Sequence, residues 1–478
     1  MEHRDVSDLD AEIIFKGVVF NEMKGATDPD RLFYLAMQNN LLPEHTYQYE
    51  SGGEPLEIPK LTHQQLIDFH KSHYHPSNSW CITYGDGDLP ETLEYLSSRT
   101  ESLVSRQVAK TTVPLATRWS TPKSKEVTCM SKNTGRPENQ AAVTWLVGDV
   151  HDIYKVFVDK IIVQYLMEGP ASPMHKALIQ SGLGSAFSTG AGFEEHLRET
   201  AVSIGVRGTD RPEVVRDTVL DTLKNVVEEG FDMQRIKGIL HGYELNLRHQ
   251  TPKFGLGASF SIMPAWQHGA DAIEMIEVQK NIDRFWLDLE NNPDMLIEQL
   301  QKITIDNTHR LDLIMRPDEG FNQNLMDLES KLLADVKNNL SRQELDDVFR
   351  QGQELRKHQN AHEDLSSLPS LSPTDIDVEN NPNFYELTRT DKVTYHLSKN
   401  TGGLVYIKVA VPLPELSEEE FLCLPTYSNY LSRTGAGEFD QHAFSTEKKL
   451  YTAGISNSVA ITEDGTPTMI FSTSCLGK

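Results

Sequence analysis

The sequence predicts a multi-domain α+β protein, and three observations carry that prediction. Its 478 residues exceed what one hydrophobic core supports, so several domains are required. Two successive stretches of similar size each combine amphipathic helices with alternating strands, the pattern of a duplicated unit, although no repeat is visible residue by residue. From Met326 to His362 the chain then turns polar, with a narrow apolar seam (Leu332, Val336, Leu340, Leu345, Val348, Leu355), as in a helical hairpin.

Taken in order, Leu9, Ile13, Ile14, Phe20 and Met23 recur near helical spacing, which places Glu22 on a helix. Asp28 and Pro29 supply a cap and first turn for the next helix, continued by Leu32, Leu35 and Ala36. Residues 43–59 form a loop containing Gly52-Gly53. Thr62 and Gln65 have capping-box spacing for a third helix, Leu61 to His73, which must stop before Pro76. Trp80, Ile82 and Tyr84 then alternate as a strand. The first unit closes near residue 104, and residues 105–120 connect it to the second.

In that second unit Gln140–Leu146 is a predicted strand and Asp152–Glu168 an amphipathic helix. The turn Gly169-Pro170-Ala171-Ser172-Pro173 and a helix from His175 to Gln180 come next. Strands are expected around Phe187 and over Ala201–Val206, with a long helix from Arg211 to Glu229. Residues 366–382 are a Ser/Pro/Asp-rich linker, and Gly402–Val411 is a strand of a new α+β unit. The expected domains are therefore 1–104, 105–325, 326–382 and 383–478. Both the first and the last are expected to be truncated.

Composition narrows the function. No apolar run approaches the roughly 18 residues that a membrane span needs. The formal charge of −25 is spread along the chain without a basic stripe, which disfavours nucleic acid and suits a basic peptide; solubility alone also explains it. Cys81, Cys129, Cys423 and Cys475 are too far apart for a Cys-x-x-Cys motif, so free thiols in a reducing compartment are expected. The start, Met1-Glu2-His3-Arg4-Asp5, has neither an apolar signal core nor transit-peptide character.

The run Phe15-Lys16-Gly17-Val18-Val19-Phe20-Asn21-Glu22-Met23-Lys24-Gly25-Ala26 resembles the segment that carries the distal metal-binding glutamate in the pitrilysin and insulysin zinc metallopeptidases, in particular their presequence-protease branch. Further matching runs follow in the same order: Leu41–Tyr47, Ser51-Gly52-Gly53, His73–Asn78, Lys176–Gly184 and Met315-Arg316-Pro317-Asp318. The resemblance implies duplicated pitrilysin-type α/β-sandwich domains joined by a helical hairpin hinge, closing a chamber around Zn2+. It also implies a mitochondrial matrix endopeptidase for targeting peptides and other short unstructured peptides, often basic.

In that family a His-x-x-Glu-His helix supplies two zinc ligands on one helical face and a glutamate that activates water. By motif, Glu22 is the remaining metal ligand; without the surrounding run it would read as a helix-surface glutamate. None of the 17 histidines begins His-x-x-Glu-His or His-Glu-x-x-His, so no catalytic residue is assigned and the chain alone is expected to be inactive. The family's substrate-contacting Arg and Tyr belong to a last domain that this sequence does not contain.

Other constellations compete for attention. His70, His73 and His75 are close in sequence, but His75 lies past the expected helix end, and capping or packing explains all three. His358 and His362 share a face with Glu354 at a solvated helix end. Gly182-Leu183-Gly184 and Gly190-Ala191-Gly192 lack a third dinucleotide glycine, and no Gly-x-Ser-x-Gly elbow occurs. The stretch Ser185 to Glu195 either borders a peptide cleft or simply connects strands. The alternative to a peptidase portion is a non-catalytic peptide-binding or structural member of the same fold, and an in-frame His-x-x-Glu-His upstream in the gene discriminates them.

Overall fold

The computed structural model describes residues 1–106, 108, 112–362, 365–375, 385–389, 394–398, 401–431, 433–462 and 465–477. It divides into two compact units, one of residues 1–28, 50–62 and 319–400, the other of residues 29–49, 63–318 and 401–478. Part of the expected 366–382 linker, residues 376–382, lies outside the described residues.

At the start, β1 (Glu2–His3) pairs antiparallel with β2 (Ile13–Ile14), and α1 (Val18–Gly25) follows. Next, α2 (Pro29–Leu41) opens on Pro29, whose missing N–H costs nothing in a first turn, and buries Phe33, Met37 and Leu41. Then α3 (His63–His73) and α4 (Leu89–Thr100) bury no side chain, the latter capped by Asp88 on the amide of Glu91 at 2.8 Å. Residues 80–84, expected as a strand, are extended but unpaired, because no strand lies alongside them among the described residues.

The second unit is built on a six-stranded mixed sheet. Its members are β3 (Lys123–Met130), β4 (Asn139–Asp149), β5 (Ala186–Phe187), β6 (Gly192–Glu194), β7 (Glu199–Thr209) and β8 (Arg310–Asp318), ordered β3-β8-β4-β7-β5 with β6 also on β7. Only β3 and β8 run parallel. Alternate side chains of β4 and β7 enter two different cores, which explains their near-continuous apolar sequence. On one face Val143, Trp145, Val202 and Ile204 pack against helices; on the other Ala142, Leu146, Leu313 and Met315 meet Phe33 and Met37 of α2.

The helical layer comprises α5 (Ile153–Met167), α6 (Val215–Glu229), α7 (Met233–Arg248), α8 (Phe254–Trp266), α9 (Ala272–Ile276), α10 (Val278–Asn291) and α11 (Met295–Leu300). The expected amphipathic helix at 152–168 is instead α5, capped by Asp152 and buried on most sides, with even Asp159 inside. It lies between the sheet and further helices, so no polar face is required of it. Residues 175–180 wind as a π-helix rather than an α-helix.

The hairpin is α12 (Phe321–Asn338) and α13 (Arg342–Gln359), the second started by a full capping box between Ser341 and Glu344. After β9 (Tyr385–Arg389) and β10 (Thr394–Ser398), β11 (Leu404–Pro412) begins a three-stranded sheet. Its helices are α14 (Glu418–Leu431) and α15 (Gln441–Tyr451), and β12 (Ser456–Ile461) and β13 (Pro467–Leu476) complete the order β11-β13-β12. The architecture is mixed helix and sheet throughout.

Candidate functional site

Glu22 sits in the second turn of α1. The buried face of that helix is made by Phe20 and Met23, with Phe15 against Phe20 at 5.8 Å between ring centroids. Met23 is seated on Gly52: a Cβ there would lie 2.1 Å from the Met23 Sδ, so the Ser51-Gly52-Gly53 run leaves room for the helix. Lys24 adds an ion pair to Glu329 of α12 at 2.6 Å.

The opposite face is open. Val18 and Val19, one turn before Glu22, are 84% and 52% exposed, and the Glu22 carboxylate shares their face in solvent. Two exposed β-branched residues flanking a carboxylate make a surface shaped to be covered.

Glu22 by itself does not make a zinc site. Catalytic zinc takes three protein ligands, and among the described residues no three His, Cys, Asp or Glu side chains are grouped to hold a metal. The residues present therefore do not fit the ion. The histidine clusters have other occupations. His70 stacks on Tyr74 at 4.6 Å, and His73 stacks on Phe69 at 4.1 Å. The Nδ1 of His75 accepts from the Ser77 amide at 3.1 Å. His358 stands with Arg356 and Lys357 in the last turn of α13, where positive charge meets the free carbonyls.

Sequence reasoning did not single out Asp30, which is the main polar tie in the second unit. It accepts from Thr189 Oγ1 at 2.8 Å and Gln140 Nε2 at 2.9 Å, with Arg207 at 3.3 Å. Burial works against the charged form, but these hydrogen bonds and the guanidinium outweigh it and hold the Asp30 carboxyl below its ordinary value. One carboxylate thereby fastens α2 to the loop between β5 and β6. The stretch Ser185 to Glu195 is accordingly a strand connection held at the sheet edge, with Tyr34 also reaching Glu194 at 3.3 Å. The only sequence signal was an acid directly after the helix-opening Pro29.

A second polar cluster gathers at the ends of β4 and β7. The Tyr47 hydroxyl accepts the Arg198 amide at 2.8 Å and meets His268 Nε2 at 3.1 Å, while Arg198 forks onto Asp149. Burial pushes the Tyr47 phenol up and the His268 imidazole down, so both stay neutral and bonded. Tyr47 ends the Leu41–Tyr47 run, and the role of that run here is to lock the loop after α2 onto the sheet.

Comparison with known proteins places these features. The family model described as "Peptidase M16 inactive domain" matches residues 60–243, and a model for the associated domain of the C branch of the same peptidase family matches residues 315–477. Mitochondrial presequence proteases of Danio rerio and Mus musculus are each 34% identical over the whole chain, and that of Yarrowia lipolytica is 32% identical over 96% of it. The chain spans about half the length of these relatives, 48%, 48% and 47% respectively. A solved structure of an M16-like peptidase from Alicyclobacillus acidocaldarius aligns at TM-score 0.48 and 17% identity, over 63% of this chain and 69% of that one. With two M16 models and full-chain identity to M16 peptidases, this chain belongs to the M16 peptidase family.

Proposed function

We propose that this chain is a non-catalytic portion of a zinc metalloendopeptidase of the presequence-protease type, acting in the mitochondrial matrix on targeting peptides and other short unstructured peptides, often basic ones. The observation that carries this reading is the pairing of full-chain identity to presequence proteases with a solitary Glu22 on an open helix face. Glu22 is the one zinc ligand the chain offers, and the two histidines and the water-activating glutamate come from sequence outside it. On this reading residues 1–104 end a first peptidase domain, 105–325 form the second, 326–382 the hinge and 383–478 the start of a third. The net charge of −25 favours cationic peptides.

The test uses the purified 478-residue chain, a fluorogenic basic presequence peptide and metal analysis. No stoichiometric zinc and no cleavage are expected from the chain alone. Addition of the segment of the zebrafish relative that precedes the matched region should give chelator-sensitive cleavage, lost again with Glu22→Gln. Chelator-sensitive cleavage by the chain alone would falsify the proposal. Peptide binding without cleavage under both conditions would favour a non-catalytic binding protein, a reading that the match to an inactive-domain model supports.

A further inference from the structure

Residues 80–84 combine the sequence of a strand with the environment of none. Trp80, Ile82 and Tyr84 alternate with Cys81 and Thr83, all residues suited to a pleated surface. Their backbone is extended, yet among the described residues no N–H or C=O of these five positions takes part in a hydrogen bond. The segment is held straight from one side only. Trp80 packs on Trp266 at 4.3 Å between ring centroids, and Tyr84 lies against Phe254 and so close over Gly255 that a Cβ there would sit 2.1 Å from its ring. Even so, Trp80 and Tyr84 remain 67% and 64% exposed. A rigid, apolar, five-residue strand with both edges free is a template for β-pairing, the arrangement that folded proteins otherwise blunt.

Resting on the function proposed above, we infer that residues 80–84 are a docking strand, paired by a β-strand from the part of the peptidase that this chain does not match. Two facts select that occupant. The exposed surface asks for backbone pairing along an edge, which a strand supplies and a folded helix cannot. The relatives carry about as much chain again as is matched here, so a strand-bearing partner segment exists in them. Thr83 is the position to disturb, because a proline there removes an N–H from the edge while a valine keeps strand propensity.

The experiment is amide hydrogen exchange of the full chain, alone and with the zebrafish segment that precedes the matched region. Alone, the amides of residues 80–84 should exchange at the unprotected rate. In the mixture they should slow about tenfold or more, as pairing in most molecules requires. Thr83→Pro should abolish both the protection and the complex, and Thr83→Val should keep them. The inference is overturned by a complex that leaves these amides unprotected, by no complex at all, or by protection that rises with concentration of the chain alone, which would make a second copy the occupant. Chelator-sensitive cleavage by a mixture with unprotected amides removes this inference and keeps the proposed function; protection without cleavage does the reverse.

Discussion

Asp159 gives the sharpest test of the energetics. It lies on α5 inside the helical layer, buried, with Gln299 of α11 as its hydrogen-bond donor. Burial disfavours its charge, and although the Gln299 bond and the nearby Lys155 and Lys302 pull the other way, the carboxyl is pushed up from 3.8 to about 6. A carboxyl that is harder to ionise folded than unfolded contributes stability below pH 3.8, and that contribution is lost as pH rises through about 6. The gap is worth about 3 kcal/mol at ~1.4 kcal/mol per pH unit. Asp159→Asn keeps the acceptor for Gln299 and removes the charge. It should stabilise the second unit by about 3 kcal/mol at pH 8, with the gain shrinking toward zero near pH 4.

The assay is urea unfolding followed by tryptophan fluorescence at pH 8, 6 and 4.5. All five tryptophans, at 80, 119, 145, 266 and 286, belong to the unit that holds Asp159, so the signal reports that unit alone. A destabilised Asp159→Asn at pH 8, or a gain that does not vary with pH, would show that the buried carboxylate is stabilised by something other than the groups named.

Two glycines should respond to the same substitution with opposite signs. Gly205→Ala puts a Cβ 2.1 Å from the Ala141 carbonyl oxygen and 2.5 Å from the Ala142 Cα, backbone atoms that cannot rotate away, so a loss of about 3 kcal/mol or more is expected in the same urea assay. Gly257→Ala, on an open face of α8, meets nothing within 4 Å and should raise stability by about 0.5–1 kcal/mol. Glu199→Ala removes the acceptor of the Ala116 amide and of Arg118, both at 2.6 Å, and should cost about 2 kcal/mol while speeding proteolysis of residues 112–119.

Local signals were legible wherever they act through the chain itself. Pro29, Asp88, Asp152 and Ser341 each start a helix, because a cap satisfies amides within one turn of its own position. The long strand at 139–149 was foreseen for its apolar run, although β3 and β8 were not: β3 is solvent-exposed along most of its length and reads as polar. The failed strand at 80–84 is instructive in the opposite way. Its residues favour pairing, but pairing needs a neighbour, and propensity cannot provide one.

By itself the sequence determined the α+β class, the helical hairpin, the resemblance to zinc metallopeptidases and the absence of a His-x-x-Glu-His motif, since periodicity, caps and motifs are written in consecutive residues. Only the tertiary structure decided that α5 is buried with a carboxylate inside, that Asp30 ties three elements, that Glu22 faces solvent beside two valines, and that residues 80–84 stand extended without a partner. Those facts depend on which surfaces meet across long stretches of chain, and the free energy of burial and pairing is set by the neighbour as much as by the residue.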